Sequence, residues 1–251
     1  FYINEKMYLE GVTLTQEEFY EKLKKDEPIS TSQPSPADLC DLWDKLLRDY
    51  EEIVHIPMSS GLSASCSTAM GLAIDYNGRV QVVDNQRISV TQRQSVMDAK
   101  MLAEAGKSAA EITAALEELK PKVRASFVVD TLMYLYRGGR CNAVAAMAGS
   151  VLKLHPKIIV ENGAMDAAKK YRGKLHSVVM SYVRDMEADL KNARPERVFI
   201  THSGCDRKIV EDVQAYLQSL GIFQEILETR AGGVVSSHCG PGTLGVLFIA
   251  K

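Results

Sequence analysis

The sequence predicts an α/β protein of two domains, and three observations carry that reading. Through residues 1–121, short apolar runs alternate with stretches of helical period, the pattern of a parallel sheet covered by helices. From 122 to 251 the apolar runs fall in pairs with fewer crossovers, the pattern of a mixed or antiparallel sheet with helices. Two hydroxyl-rich turns, Thr31-Ser32-Gln33-Pro34-Ser35-Pro36 and Ser59-Ser60-Gly61-Leu62-Ser63, each stand where a helix begins. The boundary is placed near Pro121, giving an N-terminal domain 1–121 and a C-terminal domain 122–251.

Each element of the first domain has a local reason. Tyr2-Ile3 and Met7-Tyr8-Leu9 read as an opening pair of strands. Thr15 and Glu18 have capping-box spacing ahead of Phe19 and Leu23. Ser35-Pro36 starts the next helix, where Leu39, Leu42, Trp43, Leu46 and Tyr50 recur at helical spacing. Ile53-Val54-His55-Ile56 is a strand, the Ser59–Ser63 turn follows, and a small-residue helix runs through Ala69 and Leu72. Val80-Gln81-Val82-Val83 is a strand ending in Asp84-Asn85, for which a turn or cap role is expected. A helix through Met97, Met101 and Leu102 stops at Gly106, and another carries Ile112, Ala115, Leu116 and Leu119 on one face.

In the second domain, Phe127-Val128-Val129 and Ile158-Ile159-Val160 are strands, with an Ala- and Gly-rich helix expected between Asn142 and Lys153. Leu175, Val178, Val179, Tyr182, Val183 and Met186 form the stripe of a long helix. Val198-Phe199-Ile200, a helix through Ile209, Val213, Leu217 and Leu220, and two closing strands complete the chain.

Composition excludes several classes. A net charge of −2 with interspersed charges argues against a nucleic-acid surface. The cysteines Cys40, Cys66, Cys141, Cys205 and Cys239 are odd in number with no C-x-x-C pair, which fits a reducing cytoplasm and no disulfide framework. No apolar run is long enough to span a membrane and no signal-peptide pattern is present. No apolar stripe demands a second chain, so a monomer is expected. The scattered histidines lack metal-ligand spacing, and no metal is expected.

Three constellations bear chemistry. Gly61-Leu62-Ser63-Ala64-Ser65 approximates the G-x-S-x-G nucleophile elbow between a strand and a helix, with Ser65 in place of the last glycine. A serine hydrolase or acyltransferase using Ser63 would need His202 or His238 as base, and no partner acid follows from spacing. Simple helix capping by these serines is the plainer reading. Gly240-Pro241-Gly242-Thr243-Leu244-Gly245 matches G-x-G-x-x-G, but too little chain follows for a dinucleotide fold. It reads instead as a tight turn, with His238 just before it. Arg137-Gly138-Gly139-Arg140 ends a short helix after Tyr134 and Leu135, where an arginine fork suits phosphate or carboxylate. Arg172 is a comparable candidate. Two hydroxyl-rich helix starts suit an anionic head group.

In their order and rough spacing, Thr31-Ser32-Gln33-Pro34-Ser35, Ser59-Ser60-Gly61-Leu62-Ser63, Gly138-Gly139-Arg140 and His238-Cys239-Gly240-Pro241-Gly242 resemble the DegV family. These are bacterial fatty-acid-binding proteins that serve as lipid-carrying subunits of fatty acid kinase. The resemblance spans essentially the whole chain. It implies a parallel three-layer α/β/α N-terminal domain, a C-terminal domain with a mixed sheet, and a long-chain fatty acid between them. It places the carboxylate at Thr31 and Ser63 with His238 near the head group, and Ser32, Ser60 and Gly240 as secondary contacts. A separate ATP-dependent kinase would phosphorylate the bound carboxylate to an acyl phosphate for phospholipid synthesis, so the chain itself would be no enzyme. Arg140 and Arg172 fall where the family carries arginines suited to the phosphate or the kinase.

Against the family pattern, Ala64-Ser65 replaces Gly-Thr, Asp84-Asn85 replaces Asp-Ser, and Cys141-Asn142 replaces Ile-Ser. Phe1 aligns with the family's second strand, so its usual first strand and Thr-Asp-Ser-type loop are expected to be missing. A divergent member binding another small anion is the remaining alternative. Acyl-chain selectivity is expected to follow cavity-shaping residues such as Met133, Met147, Phe127 and Ile159.

Overall fold

The computed structural model describes residues 1–140 and 154–251. The expected helix from Asn142 to Lys153, with Met147, and Cys141 lie outside the described residues. The chain divides into two compact units, one of Phe1–Thr31, Arg124–Val160 and Met165–Lys251, the other of Ser32–Val123 and Glu161–Ala164. The crossing at Val123 falls beside the expected cut after 121. Residues 1–31, however, group with the C-terminal portion and not with 32–121. The reason lies in their bonding: Gln16 Nε2 and the Tyr20 hydroxyl both donate to the Ala231 carbonyl, at 3.3 and 2.6 Å.

In the first unit, β1 (Tyr2–Ile3) pairs antiparallel with β2 (Lys6–Met7) and β3 (Ile29–Ser30). Asn4 and Glu5 turn the first hairpin at positive φ, the twist that a two-residue hairpin needs. α1 (Gln16–Lys24) begins with the expected Thr15–Glu18 capping box and buries Phe19, Tyr20 and Leu23 against Ile3 and Leu14. The sequence reading has the opening strand pair and the capped helix; it passed over β3, and Tyr8 and Leu9 fall outside the strand.

The main sheet of this unit has six strands in the order β10-β9-β11-β6-β7-β8. They are β6 (Val123–Val128), β7 (Leu154–Glu161), β8 (Ala164–Arg172), β9 (Arg197–His202), β10 (Glu225–Arg230) and β11 (Leu244–Ile249). β10 and β9 are parallel, whereas β9–β11 and β6–β7 are antiparallel, so the sheet is mixed as expected. β8 has no apolar alternation to announce it. It is an edge strand whose lysines face solvent, with Met165 and Tyr171 buried. α7 (Leu175–Asp185) and α9 (Arg207–Ser219) bury Val178, Val179, Val183, Val213 and Leu217 with Ile200, Val246 and Phe248 of the sheet. The buried Tyr182 hydroxyl is fully used: it pairs with Ser126 Oγ, donates to the Ser126 carbonyl at 2.8 Å and accepts the Val246 N–H. α8 (Glu187–Lys191) follows α7.

In the second unit, β4 (Ile53–His55) and β5 (Val80–Val82) form a parallel pair. α2 (Pro36–Leu46) is capped by Ser35, whose Oγ accepts the Asp38 N–H at 3.1 Å. Of its apolar stripe, Leu39 and Trp43 are buried with Ala69 and Val80, but Leu42 and Tyr50 are exposed. α3 (Ser65–Ala73), α4 (Val90–Glu104) and α5 (Ala109–Leu119) complete the layer. Gly106, at φ +79°, ends the α4 region as expected. α5 carries a Ser108–Glu111 capping box that the sequence reading passed over. Among the described residues, no helix is long and apolar enough to cross a membrane.

Candidate functional site

The first unit brings two of the expected residues together. Thr31 follows β3 directly, and His238 lies in the last turn of α10 (Gly233–Cys239). Their side chains meet, Thr31 Oγ1 to His238 Nε2, at 2.9 Å. The sequence reading assigns no helix here, since seven residues of mostly small and polar character carry too weak a period to show one. Ser236 ties α10 inward, bonded to the Tyr20 hydroxyl and to Ser203 Oγ, both at 3.0 Å. Burial, with the charge of Arg140 adding to it, holds the His238 imidazole below the usual histidine range. A neutral ring is the form that can exchange a hydrogen bond with a hydroxyl in either direction.

A second wall comes from α6 (Met133–Gly138), which ends at Gly139 in the left-handed region, φ +65°. A Cβ on Gly138 would stand 2.3 Å from His238 Nδ1, and one on Gly240 would stand 2.3 Å from Tyr134 Cδ2. The expected turn is confined to the residues around Gly240–Gly242, where Gly240 packs on the Tyr134 ring, while Leu244 and Gly245 already belong to β11. Arg137 does not offer its fork outward: Nη1 and Nη2 both donate to the Asp26 carboxylate, at 2.6 and 3.2 Å. That pairing keeps the Asp26 carboxyl below the usual range. Arg140 is exposed and turns Nη1 back to the Gly138 carbonyl. These elements line an open cavity of ≈ 1110 Å³ that includes Leu23, Ile29, Thr31, Tyr134, Arg140 and His238. Arg172, exposed at the end of β8, is not on its wall, and neither are Met133, Phe127 or Ile159.

In the second unit, the serine turn is an organised loop between β4 and α3. Ser59 is buried, donates Oγ to the Gly163 carbonyl at 2.7 Å and accepts the Gly61 N–H. Gly61 has no room for a side chain, since its Cβ would lie 2.5 Å from the Gly163 oxygen. Ser60 gives both its N–H and its hydroxyl to Asp84, which also takes the Gln86 N–H. Burial raises the Asp84 carboxyl, but these donors outweigh it and the net shift is downward. Asp84 is therefore the brace of the serine loop. Ser63 pairs Oγ to Oγ with Ser65 at 2.8 Å and accepts the Ser65 N–H at the start of α3. Ser32 is exposed, and Gln33 accepts the Thr68 hydroxyl.

The nucleophile reading finds neither an elbow at Ser63 nor a base in His202. Ser63 is absent from the positive-φ residues, so the strained elbow is not formed. Its hydroxyl partner is a second serine, and His202 spends Nδ1 on the Cys205 N–H and Nε2 on Glu228. Burial pushes the Cys66 and Cys205 thiols up to about 11, which makes neither a nucleophile at neutral pH. Sequence reasoning missed Gly138 as a packing position and Asp26 as the partner of Arg137. The Arg-Gly-Gly-Arg run marked the place, but only tertiary spacing shows what fills it.

Known proteins agree with this architecture. The family model described as the DegV family of uncharacterised proteins matches residues 2–251. The DegV domain-containing protein of Deinococcus radiodurans is 31% identical over 244 residues, covering 96% of this chain and 85% of its own length. Protein DegV of Bacillus subtilis is 30% identical over 253 residues, covering 98% and 87%. Among solved structures, a DegV family protein from Thermus thermophilus, described for its fatty acid binding, superposes with a TM-score of 0.89 at 29% identity, covering 99% of this chain and 89% of that one. DegV of Bacillus subtilis, described as a fatty acid binding protein, gives 0.84 at 28% identity, covering 100% and 89%. With a family model that matches nearly its full length, the chain belongs to the DegV family.

Proposed function

We propose that this protein binds a long-chain fatty acid and holds its carboxylate at Thr31 and His238. The observation that carries the reading is the 2.9 Å Thr31–His238 contact on the wall of a cavity. Its support is the fatty-acid binding described for two structural relatives at 28–29% identity. The chemistry fits: a neutral imidazole N–H can donate to Thr31 Oγ1, leaving the threonine hydroxyl to donate to a carboxylate, each bond polarising the next. Each buried methylene of the acyl chain contributes about 0.8 kcal/mol, so the chain supplies most of the affinity and the head-group donors set its direction.

Ser63 is a second carboxylate donor in this proposal, on the strength of its motif, and Arg140 and Arg172 are cations for a phosphate or a kinase surface. In the fuller reading the chain is a cytoplasmic carrier without turnover of its own, and a separate ATP-dependent kinase converts the bound carboxylate to an acyl phosphate. Native mass spectrometry of the purified protein, followed by lipid extraction, tests the core claim. A stoichiometric, non-covalent fatty acid is expected. A protein that neither retains nor takes up fatty acid, or that forms a fluorophosphonate adduct on Ser63, would overturn it.

A further inference from the structure

α6 carries a glycine where helix energetics ask for alanine. Gly138 is the last residue of α6 and is not among the glycines of positive φ. At an ordinary helical φ, alanine is the better helix former, so backbone freedom does not explain the glycine. What explains it is the neighbour: a Cβ at 138 would stand 2.3 Å from His238 Nδ1, 3.2 Å from Cγ and 3.3 Å from Cε1. The Nδ1 edge of the ring thus abuts the Gly138 α-carbon, while Nε2 meets Thr31.

The same helix is fixed on its other sides. Tyr134, one turn earlier, packs under Gly240, two residues beyond His238. Its hydroxyl donates to the Leu23 carbonyl at 3.4 Å. Arg137 grips Asp26, in the connection that leads from α1 to β3 and Thr31. α6 therefore touches both segments that carry the Thr31–His238 pair.

We infer that Gly138 is a positioning residue: the bare α-carbon seats the His238 imidazole so that Nε2 faces Thr31, and α6 sets the spacing of that pair. The inference deepens the fatty-acid reading and rests on it for its ligand. The test is Gly138→Ala in the full chain, read by the His238 imidazole NMR signals without ligand and by titration with a fatty acid. Displaced His238 signals, with affinity reduced at least tenfold, are expected. Unchanged signals with affinity within twofold of the parent would overturn the inference, and so would a protein simply stabilised by the new alanine.

Should Gly138→Ala fail to fold, Gly138→Ala/His238→Ala decides the matter. Recovery of the fold shows that the ring was the obstacle, and no recovery overturns the inference. If the parent protein binds no fatty acid, the function proposed above fails while the His238 signals still decide the role of Gly138.

Discussion

Replacing Thr31 by valine removes one hydroxyl and almost no volume, which makes it the sharpest probe of the proposed head-group site. In the empty protein the change deletes the 2.9 Å hydrogen bond to His238. A neutral hydrogen bond of this kind contributes about 1 kcal/mol net, a small loss in a half-buried position where water can reach the ring. In the complex the loss is larger, because a hydrogen bond to a charged carboxylate contributes roughly 1.5–3 kcal/mol. That corresponds to about a 10- to 150-fold weaker Kd. At about 0.8 kcal/mol per buried methylene, it equals shortening the acyl chain by roughly two to four carbons. Calorimetric titration with a fatty acid and with the alcohol of the same length separates head from tail. Thr31→Val should weaken the acid by that factor and leave the alcohol within twofold; Thr31→Ser should restore the acid. Equal losses for acid and alcohol, or no loss for the acid, would refute Thr31 as a carboxylate donor.

Other expectations follow from the same packing. Burial holds His55, His202 and His238 below the usual histidine range. The unfolded chain therefore takes up protons first as pH drops below about 6.5, and stability falls there by at most about 1.4 kcal/mol per pH unit for each histidine. Urea unfolding between pH 7.5 and 5.5 should show this decline, and a flat profile would contradict it. Tyr182→Phe leaves the buried Val246 N–H and the Ser126 carbonyl without the phenol, at a cost of about 1–3 kcal/mol in chemical denaturation. Ser59→Ala removes the donor to Gly163; a similar cost is expected, with proteolysis of the serine loop as its local readout. Gly245→Ala places a Cβ 2.7 Å from the Ser126 carbonyl, a clash with backbone worth about 1–3 kcal/mol or more. An unchanged thermal midpoint would show that β11 and β6 can move apart.

Local signals in the chain were read where they are strong. Thr15–Glu18 and Ser35-Pro36 announce helix starts because cap chemistry is decided within four residues. The stripe Val178, Val179, Tyr182, Val183 announces α7 because one face packs on the sheet. β8 escaped, since an edge strand bearing Lys169 and Lys170 has little apolar pattern. α10 escaped because a short helix of Val, Ser and His has little period. Residues 1–31 went to the wrong portion of the chain because proximity in sequence says nothing about where Tyr20 finds the Ala231 carbonyl.

The motifs by themselves determined the family and marked Thr31, Ser63 and His238 as the residues to watch. They could do so because hydroxyls, glycines and a histidine in fixed order are local chemistry. Only the tertiary structure decided how they are used: that His238 meets Thr31, that Ser60 serves Asp84, that Arg137 is spent on Asp26, and that Gly138 is a glycine for the sake of a ring 100 positions away. Each of these depends on side chains distant in sequence, and hydrogen bonds and van der Waals contact act only over a few ångströms.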